Sequence, residues 1–174
     1  MPSRQPVPRL WLMTDERQGG GLFGALARLP PGRAGIVFRH YRTAEAERRR
    51  LFDEVRRLAR RRRLMLLLAG PPGQAQDWGA DGSHGRGPAS GFRSAPVHDL
   101  SEIRVAERDG ADLLFLSPVF ATRSHPGARP LGPARFNFLV RRTGLPVIAL
   151  GGMNAIRVRR LREAYGWAGI DAWS

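Results

Sequence analysis

Residues 112–120 read DLLFLSPVF and residues 145–152 read LPVIALGG. Each is an apolar run of strand length, and each ends in strand-breaking residues, Ser-Pro in the first and Gly-Gly in the second. Between them PARFNFLVRRTG (133–144) has Pro near its start and Gly after its end, which is how a helix is punctuated. Before them LSEIRVAERDG (100–110) reads as a helix with Ser101 as N-cap and Gly110 as its stop. After them NAIRVRRLREAYG (154–166) is expected to be a helix and AGIDAW (168–173) a last strand. Helix and strand therefore alternate through the second half of the chain, the pattern of a parallel α/β fold.

The first half repeats it. LWLMT (10–14), AGIVFR (34–39), LMLLLA (64–69), a short strand within GADGSHG (79–85) and SAPVH (94–98) are strand candidates. The run at 64–69 is continuously apolar, as a parallel strand covered on both faces requires. Residues 21–29 read as a short helix, and residues 44–62 as a longer one with Leu51, Phe52, Val55 and Leu58 at helical spacing. A poorer, Gly/Pro-broken helix precedes the fourth strand. Eight strand candidates and at least five helices predict an α/β fold, a (β/α)8 TIM barrel, with an open doubly wound sheet as the runner-up. The chain, 174 residues read as one domain (1–174), is short beside the roughly 250 of a typical barrel. Two places absorb the difference: the connection GRGPASGFR (85–93) is too rich in Gly and Pro for a good helix, and no helix is expected after the eighth strand. The flank beside strands one and eight, near Trp167 and Trp173, is then expected to be covered by a partner subunit, giving a homo-oligomer, or by residues 1–9.

Composition narrows the function classes. Apolar content of 42% and charge content of 25% are those of a globular chain. No apolar run approaches the roughly 20 residues of a membrane helix, and residues 1–10, MPSRQPVPRL, lack the apolar centre of a signal peptide. Cysteine is absent, which excludes disulfides, thiolate ligands and a Cys nucleophile. These features predict a cytoplasmic protein with no membrane partner. The net charge of +14 suggests nucleic acid, but every one of the 29 basic residues is arginine, a bias in codon usage rather than a designed basic stripe. The runs Arg48–Arg50, Arg56, Arg57, Arg60–Arg63 and Arg157–Arg162 read as solvated helix faces, and no nucleic-acid partner is expected.

His40, His84, His98 and His125 each fall at or just after the end of a predicted strand, the active-site face of a barrel. Loop 117–132, SPVFATRSHPGARPLG, offers Thr122, Arg123, Ser124 and His125 to an anion. Gly151-Gly152, running into a predicted helix, would let backbone N–H groups approach a phosphate.

In order and spacing, LWLMTD, GIVFRHY, GADGSHG, APVHDLSE, GADLLFLSPVFATRSHPG, LPVIALGGM and AGIDAW resemble the thiamine phosphate synthase/TenI family from Leu10 to Ser174. The resemblance implies a (β/α)8 barrel of thiamine biosynthesis that couples hydroxymethylpyrimidine diphosphate to thiazole phosphate. It implies catalytic roles for Arg39, His84, His98 and His125, and substrate or phosphate binding by Thr122, Arg123, Ser124, Gly151, Gly152 and Ser174. The resemblance implies Mg²⁺ as a possible cofactor, although the family's carboxylates for it are absent: its Asn-Asp after the third strand is Ala69-Gly70 here, no Asp follows His84 until Asp99, and no residue is assigned to metal. The tautomerase's histidine position is Pro118. The expected function is thus a synthase-like transferase with a degenerate site acting on a phosphorylated small molecule. The alternatives are a non-catalytic or TenI-like barrel holding a thiazole or thiamine phosphate, and a metal enzyme built on the histidines.

Overall fold

The computed structural model describes residues 6–88, 90–122 and 127–173. Eight parallel strands close into a barrel in sequence order: β1 (Leu10–Met13), β2 (Ala34–Phe38), β3 (Met65–Ala69), β4 (Gly82–His84), β5 (Phe92–Val97), β6 (Leu113–Leu116), β7 (Val147–Ala149) and β8 (Gly166–Gly169). Closure is made by β1 against β8, with Leu10 opposite Trp167 and Leu12 opposite Gly169. Five α-helices lie on its outside among the described residues: α1 (Leu22–Arg28), α2 (Glu45–Arg62), α3 (Pro72–Trp78), α4 (Leu100–Arg108) and α5 (Gly132–Val140). Among the described residues no helix joins β4 to β5, in line with the Gly/Pro-rich sequence there.

Strands β1, β2, β3, β6 and β7 are apolar runs because both faces are buried, whereas β4 and β5 carry the buried polar residues Ser83, His84, Arg93 and Ser94. Trp11, Met13, Val37, Leu67, Leu113, Phe115, Ile148 and Ala168 point into the barrel. Their neighbours Leu12, Ile36, Phe38, Leu66 and Leu68 point out against α1, α2 and α3. Trp11 is fully buried and meets Phe115 edge-on at 5.5 Å. Its indole fills the space above Gly35, where a Cβ would stand 2.3 Å from the ring.

Four expectations are corrected. The stretch 154–166 is not a helix; it holds only a 3-10 turn, Arg157–Arg160. Asn154 Oδ1 accepts the amides of Ile156 and Arg157 and starts the turn, but Arg157, Arg159, Arg160 and Arg162 crowd like charges at helical neighbour spacing, which opposes a longer helix. The last strand accordingly begins earlier, at Gly166, and residues Asp171–Trp173 are a 3-10 turn rather than strand. The N-cap of α4 is Asp99, whose carboxylate accepts the Glu102 amide, not Ser101. Arg48 is not on a solvated face: it is 9% exposed, packed between α2 and the ends of β2 and β3.

The flank at β8 and β1 is covered largely from within. Trp173 stacks flat on Trp167 at 5.3 Å, and its carbonyl accepts from Arg28 Nη1. Residues 7–9 close the opposite, N-terminal end of the barrel. There the Val7 carbonyl accepts from Tyr165 Oη, that of Pro8 from Trp11 Nε1, and that of Arg9 from the Trp167 amide.

Candidate active site

A cavity of about 240 Å³ opens at the C-terminal ends of the strands. Its walls are Arg39 after β2, His98 after β5, Ser117, Pro118 and Thr122 after β6, Leu150–Met153 after β7, and Gly169–Ala172 after β8.

The β7 end supplies an anion cradle through its peptide planes. The carbonyls of Leu150, Gly151 and Gly152 are held in turn by the amides of Val119 and Phe120, at 2.9 and 3.1 Å, and by Arg157 Nη1 at 2.6 Å. In a trans peptide the N–H points opposite its carbonyl. The amides of Gly151, Gly152 and Met153 are thereby turned away from those partners, and among the described residues none of the three meets an acceptor. Successive amides freed in this way form an anion-binding concavity. Glycine is required at both positions. Gly151 has φ +96°, and a Cβ there would lie 2.8 Å from Pro118 Cα; Gly152 has φ +60°, and its Cβ would lie 2.6 Å from the Ala121 carbonyl. The donors therefore come from a glycine turn tied to the β6 loop, not from the helix N-terminus that the sequence suggested.

Arg39 contributes the cationic side of the cavity. Its Nε donates to the Thr14 carbonyl at 2.7 Å and its Nη2 pairs with Asp15 at 3.0 Å, so the guanidinium is held in one orientation. Burial lowers its pKa and the Asp15 charge opposes that; it stays a cation. His98 lies on the β5 side, with Nδ1 2.7 Å from Glu102 Oε2. A carboxylate only accepts, so Nδ1 carries the proton and Nε2 is the basic nitrogen of the neutral ring. Glu102 also pairs with Arg86 at 2.8 Å. Burial tends to raise the Glu102 pKa, but the hydrogen bonds from His98 and Arg86 outweigh it and hold the carboxyl below its ordinary value.

Two other histidines are interior groups. His40, 5% exposed, stacks on Phe38 and bonds Thr14 Oγ1 at 2.9 Å. His84 was expected at the active face, but its side chain points into the barrel, edge-on to Phe115 and 2.8 Å from Ser94 Oγ, and it does not line the cavity. Burial, with Arg39 and Arg93 adding to it, pushes the His84 imidazole from 6.5 to about 3. The unfolded chain then binds a proton that the folded chain refuses. The stability this neutral ring contributes is complete above about pH 6.5 and is lost as pH falls toward 3, at about 1.4 kcal/mol per pH unit. Urea unfolding at pH 7 and pH 5 should show a larger loss in the wild type than in His84→Asn, by about 2 kcal/mol; equal losses would refute the assignment.

Of the sequence-predicted residues, Arg39, His98, Thr122, Gly151 and Gly152 are brought together on one cavity. His125, Arg123, Ser124 and Ser174 lie outside the described residues. Ser117, Met153 and the segment Gly169–Ala172 were missed. The last would have been found had the eighth strand been ended at Gly169, which puts Asp171 on the rim.

Among the described residues no three His, Cys, Asp or Glu side chains are grouped to hold a metal ion. The end of β3 does not suit Mg²⁺ either. Ala69 and Gly70 stand there with no donor side chain, and Gly70 has φ +146°, a backbone that side chains rarely adopt.

A closed eight-strand barrel with an open amide cradle in the loop after β7 is a (β/α)8 barrel whose strand-end cavity offers donors to an anion. Comparison with known proteins narrows this. Residues 94–173 match the family model described as thiamine monophosphate synthase. The chain is 32% identical to the "Putative thiamine-phosphate synthase 2" of Aquifex aeolicus over 95% of this chain and 97% of that one. It is 29% identical to the thiamine-phosphate synthase of Chloroflexus aurantiacus over 84% of this chain and 74% of that one. The structure of a thiamine phosphate pyrophosphorylase from Pyrococcus furiosus superposes with a TM-score of 0.81 and 25% identity, over 94% of this chain and 86% of that one. The chain belongs to the thiamine phosphate synthase/TenI family. No helix among the described residues is long and apolar enough to cross a membrane.

Proposed function

We propose that the protein is a synthase-like transferase of thiamine biosynthesis that takes thiazole phosphate at the β7–β8 end of the cavity. The carrying observation is the cradle: three consecutive amides, Gly151–Met153, open beside Thr122 on the wall where barrels of this kind hold phosphate. In the coupling, the bond between the pyrimidine methylene and its diphosphate oxygen breaks, the thiazole nitrogen forms the new C–N bond, and pyrophosphate departs with the electron pair. The cradle fixes the thiazole by its phosphate, which orients the nitrogen. Arg39, preset by Thr14 and Asp15, stabilises negative charge growing on the leaving group. His98 Nε2 is the group available to hold a proton at the β5 side.

A second reading has its own support. The cavity, at about 240 Å³, is below the roughly 300–1,000 Å³ of sites that enclose drug-sized ligands. No described residue at the ends of β3 or β4 lines it. That favours a barrel that binds one ring phosphate, as a TenI-like or non-catalytic protein would. The histidine-metal reading has no such support.

Calorimetric titration with thiazole phosphate, followed by turnover with hydroxymethylpyrimidine diphosphate, separates these. Binding with pyrophosphate release establishes the transferase, and Arg39→Gln should then lower kcat about a hundredfold. Binding without turnover leaves the second reading. No binding of thiazole phosphate overturns both.

A further inference from the structure

Among the described residues the charge on Arg48 has no ion-pair partner. The residue sits on the first turns of α2 with 9% of its surface exposed. Nε donates to the Arg39 carbonyl at 3.0 Å, Nη1 to Gln74 Oε1 at 3.2 Å, and Nη2 to the Ala69 carbonyl at 2.7 Å. All three acceptors are neutral. Among the described residues no carboxylate forms an ion pair with it; Glu16 and Glu45 act on it only from farther away. Arg39, its neighbour, is by contrast paired with Asp15. The rings of Phe38 and Trp78, with centroids 5.8 and 5.3 Å from the guanidinium carbon, give partial compensation.

Burying a cation without an anion is costly, and one kept in that state beside a binding site is a candidate for function. The position is informative. Arg48 ties together the C-terminal ends of β2 and β3, behind the Arg39 that lines the cavity. This is also the place where the family's metal carboxylate is missing: Ala69 and Gly70 stand there, Gly70 has φ +146°, a backbone that side chains rarely adopt, and the guanidinium is bonded to the nearby Gln74. A cation fixed there repels a metal ion and attracts the anion that the metal would have held.

We propose that Arg48 is the built-in counter-charge of this site, so that the diphosphate end of the substrate, and the pyrophosphate released from it, are held with no divalent ion. This rests on the transferase reading. The carbonyl bonds and the aromatic rings hold the charge in place, and Arg39 makes the contact. Arg48 is thus a positioning residue that acts through Arg39, whose carbonyl it holds at 3.0 Å.

The test is titration of the intact protein with inorganic pyrophosphate, in EDTA and in millimolar Mg²⁺, with thiazole phosphate titrated in parallel. Pyrophosphate should bind with the same Kd in both buffers within about threefold. Arg48→Met should weaken pyrophosphate at least tenfold in EDTA while thiazole phosphate at the cradle changes less than about threefold; Arg48→Lys should restore most of the loss. A purely structural arginine would lower the unfolding midpoint of Arg48→Met without that selectivity. If Arg48→Met fails to fold, the wild-type comparison still decides. Pyrophosphate binding that strengthens tenfold or more with Mg²⁺, or that is absent while thiazole phosphate binds, overturns the inference and leaves the transferase reading to its own test. Absence of binding by both ligands overturns both.

Discussion

Gly151→Ala is expected to weaken binding of a phosphate ester by at least a hundredfold and to lower stability by about 2 kcal/mol or more. The new Cβ would lie 2.8 Å from Pro118 Cα and 3.1 Å from the Val119 amide nitrogen, atoms of a backbone that cannot rotate aside as a side chain would. At φ +96° the alanine is strained even before that contact. Relief requires the β7 loop to move off the β6 loop. That movement breaks the bond from the Phe120 amide to the Gly151 carbonyl, and with it the orientation of the Gly152 amide. Binding and stability are therefore lost together, through one set of contacts. Titration with thiazole phosphate and a thermal melt read the two effects. Wild-type affinity in a folded Gly151→Ala protein would mean that the amides are not the phosphate ligands.

Trp11→Ala carries the largest expected loss of stability, about 3–5 kcal/mol, typical of a large aromatic side chain removed from a core. Trp11 is 0% exposed, lies edge-on to Phe115 and occupies the volume that Gly35 leaves open on the next strand. Neighbours cannot refill it: Gly35 has no side chain, and the residue paired across β8 is Ala168. The indole nitrogen also donates to the Pro8 carbonyl at 2.7 Å, so the substitution should loosen the segment that closes the N-terminal end of the barrel. Equilibrium unfolding in urea checks this. A loss under about 1 kcal/mol would mean that the barrel interior collapses around the missing ring, contrary to the close packing expected of protein cores.

Much of the barrel is visible in the order of short apolar runs, because a strand buried on both faces favours apolar residues throughout, although β4 and β5 bury Ser83, His84, Arg93 and Ser94. The Gly-Gly at 151–152 marks the cavity for a similar local reason: only glycine tolerates the backbone the cradle needs. The limits of local reading appear at particular residues. His84 stands at a strand end, but whether a strand-end side chain turns onto the rim or into the barrel depends on the register with its neighbours. Here His84 is opposite Ala69 and Ser94, and the interior face takes it. Residues 154–166 have helical spacing and a capping Asn154, yet only a 3-10 turn forms before β8 begins.

Arg48 marks the boundary most clearly. In sequence it is the first of three arginines on an amphipathic helix and is indistinguishable from Arg49 and Arg50. Only the docking of α2 against β2 and β3 separates them, burying one guanidinium over two strand ends and leaving Arg50 exposed. The sequence by itself determined the succession of strands along the chain, the α/β class and the glycines that the amide cradle needs, since periodicity and backbone freedom are properties of neighbouring residues. The tertiary structure alone decided which histidines face the cavity, which amides are free and which of Arg48, Arg49 and Arg50 is buried. Those depend on strand register and on the burial of a charge, and both are set by residues far apart in the chain.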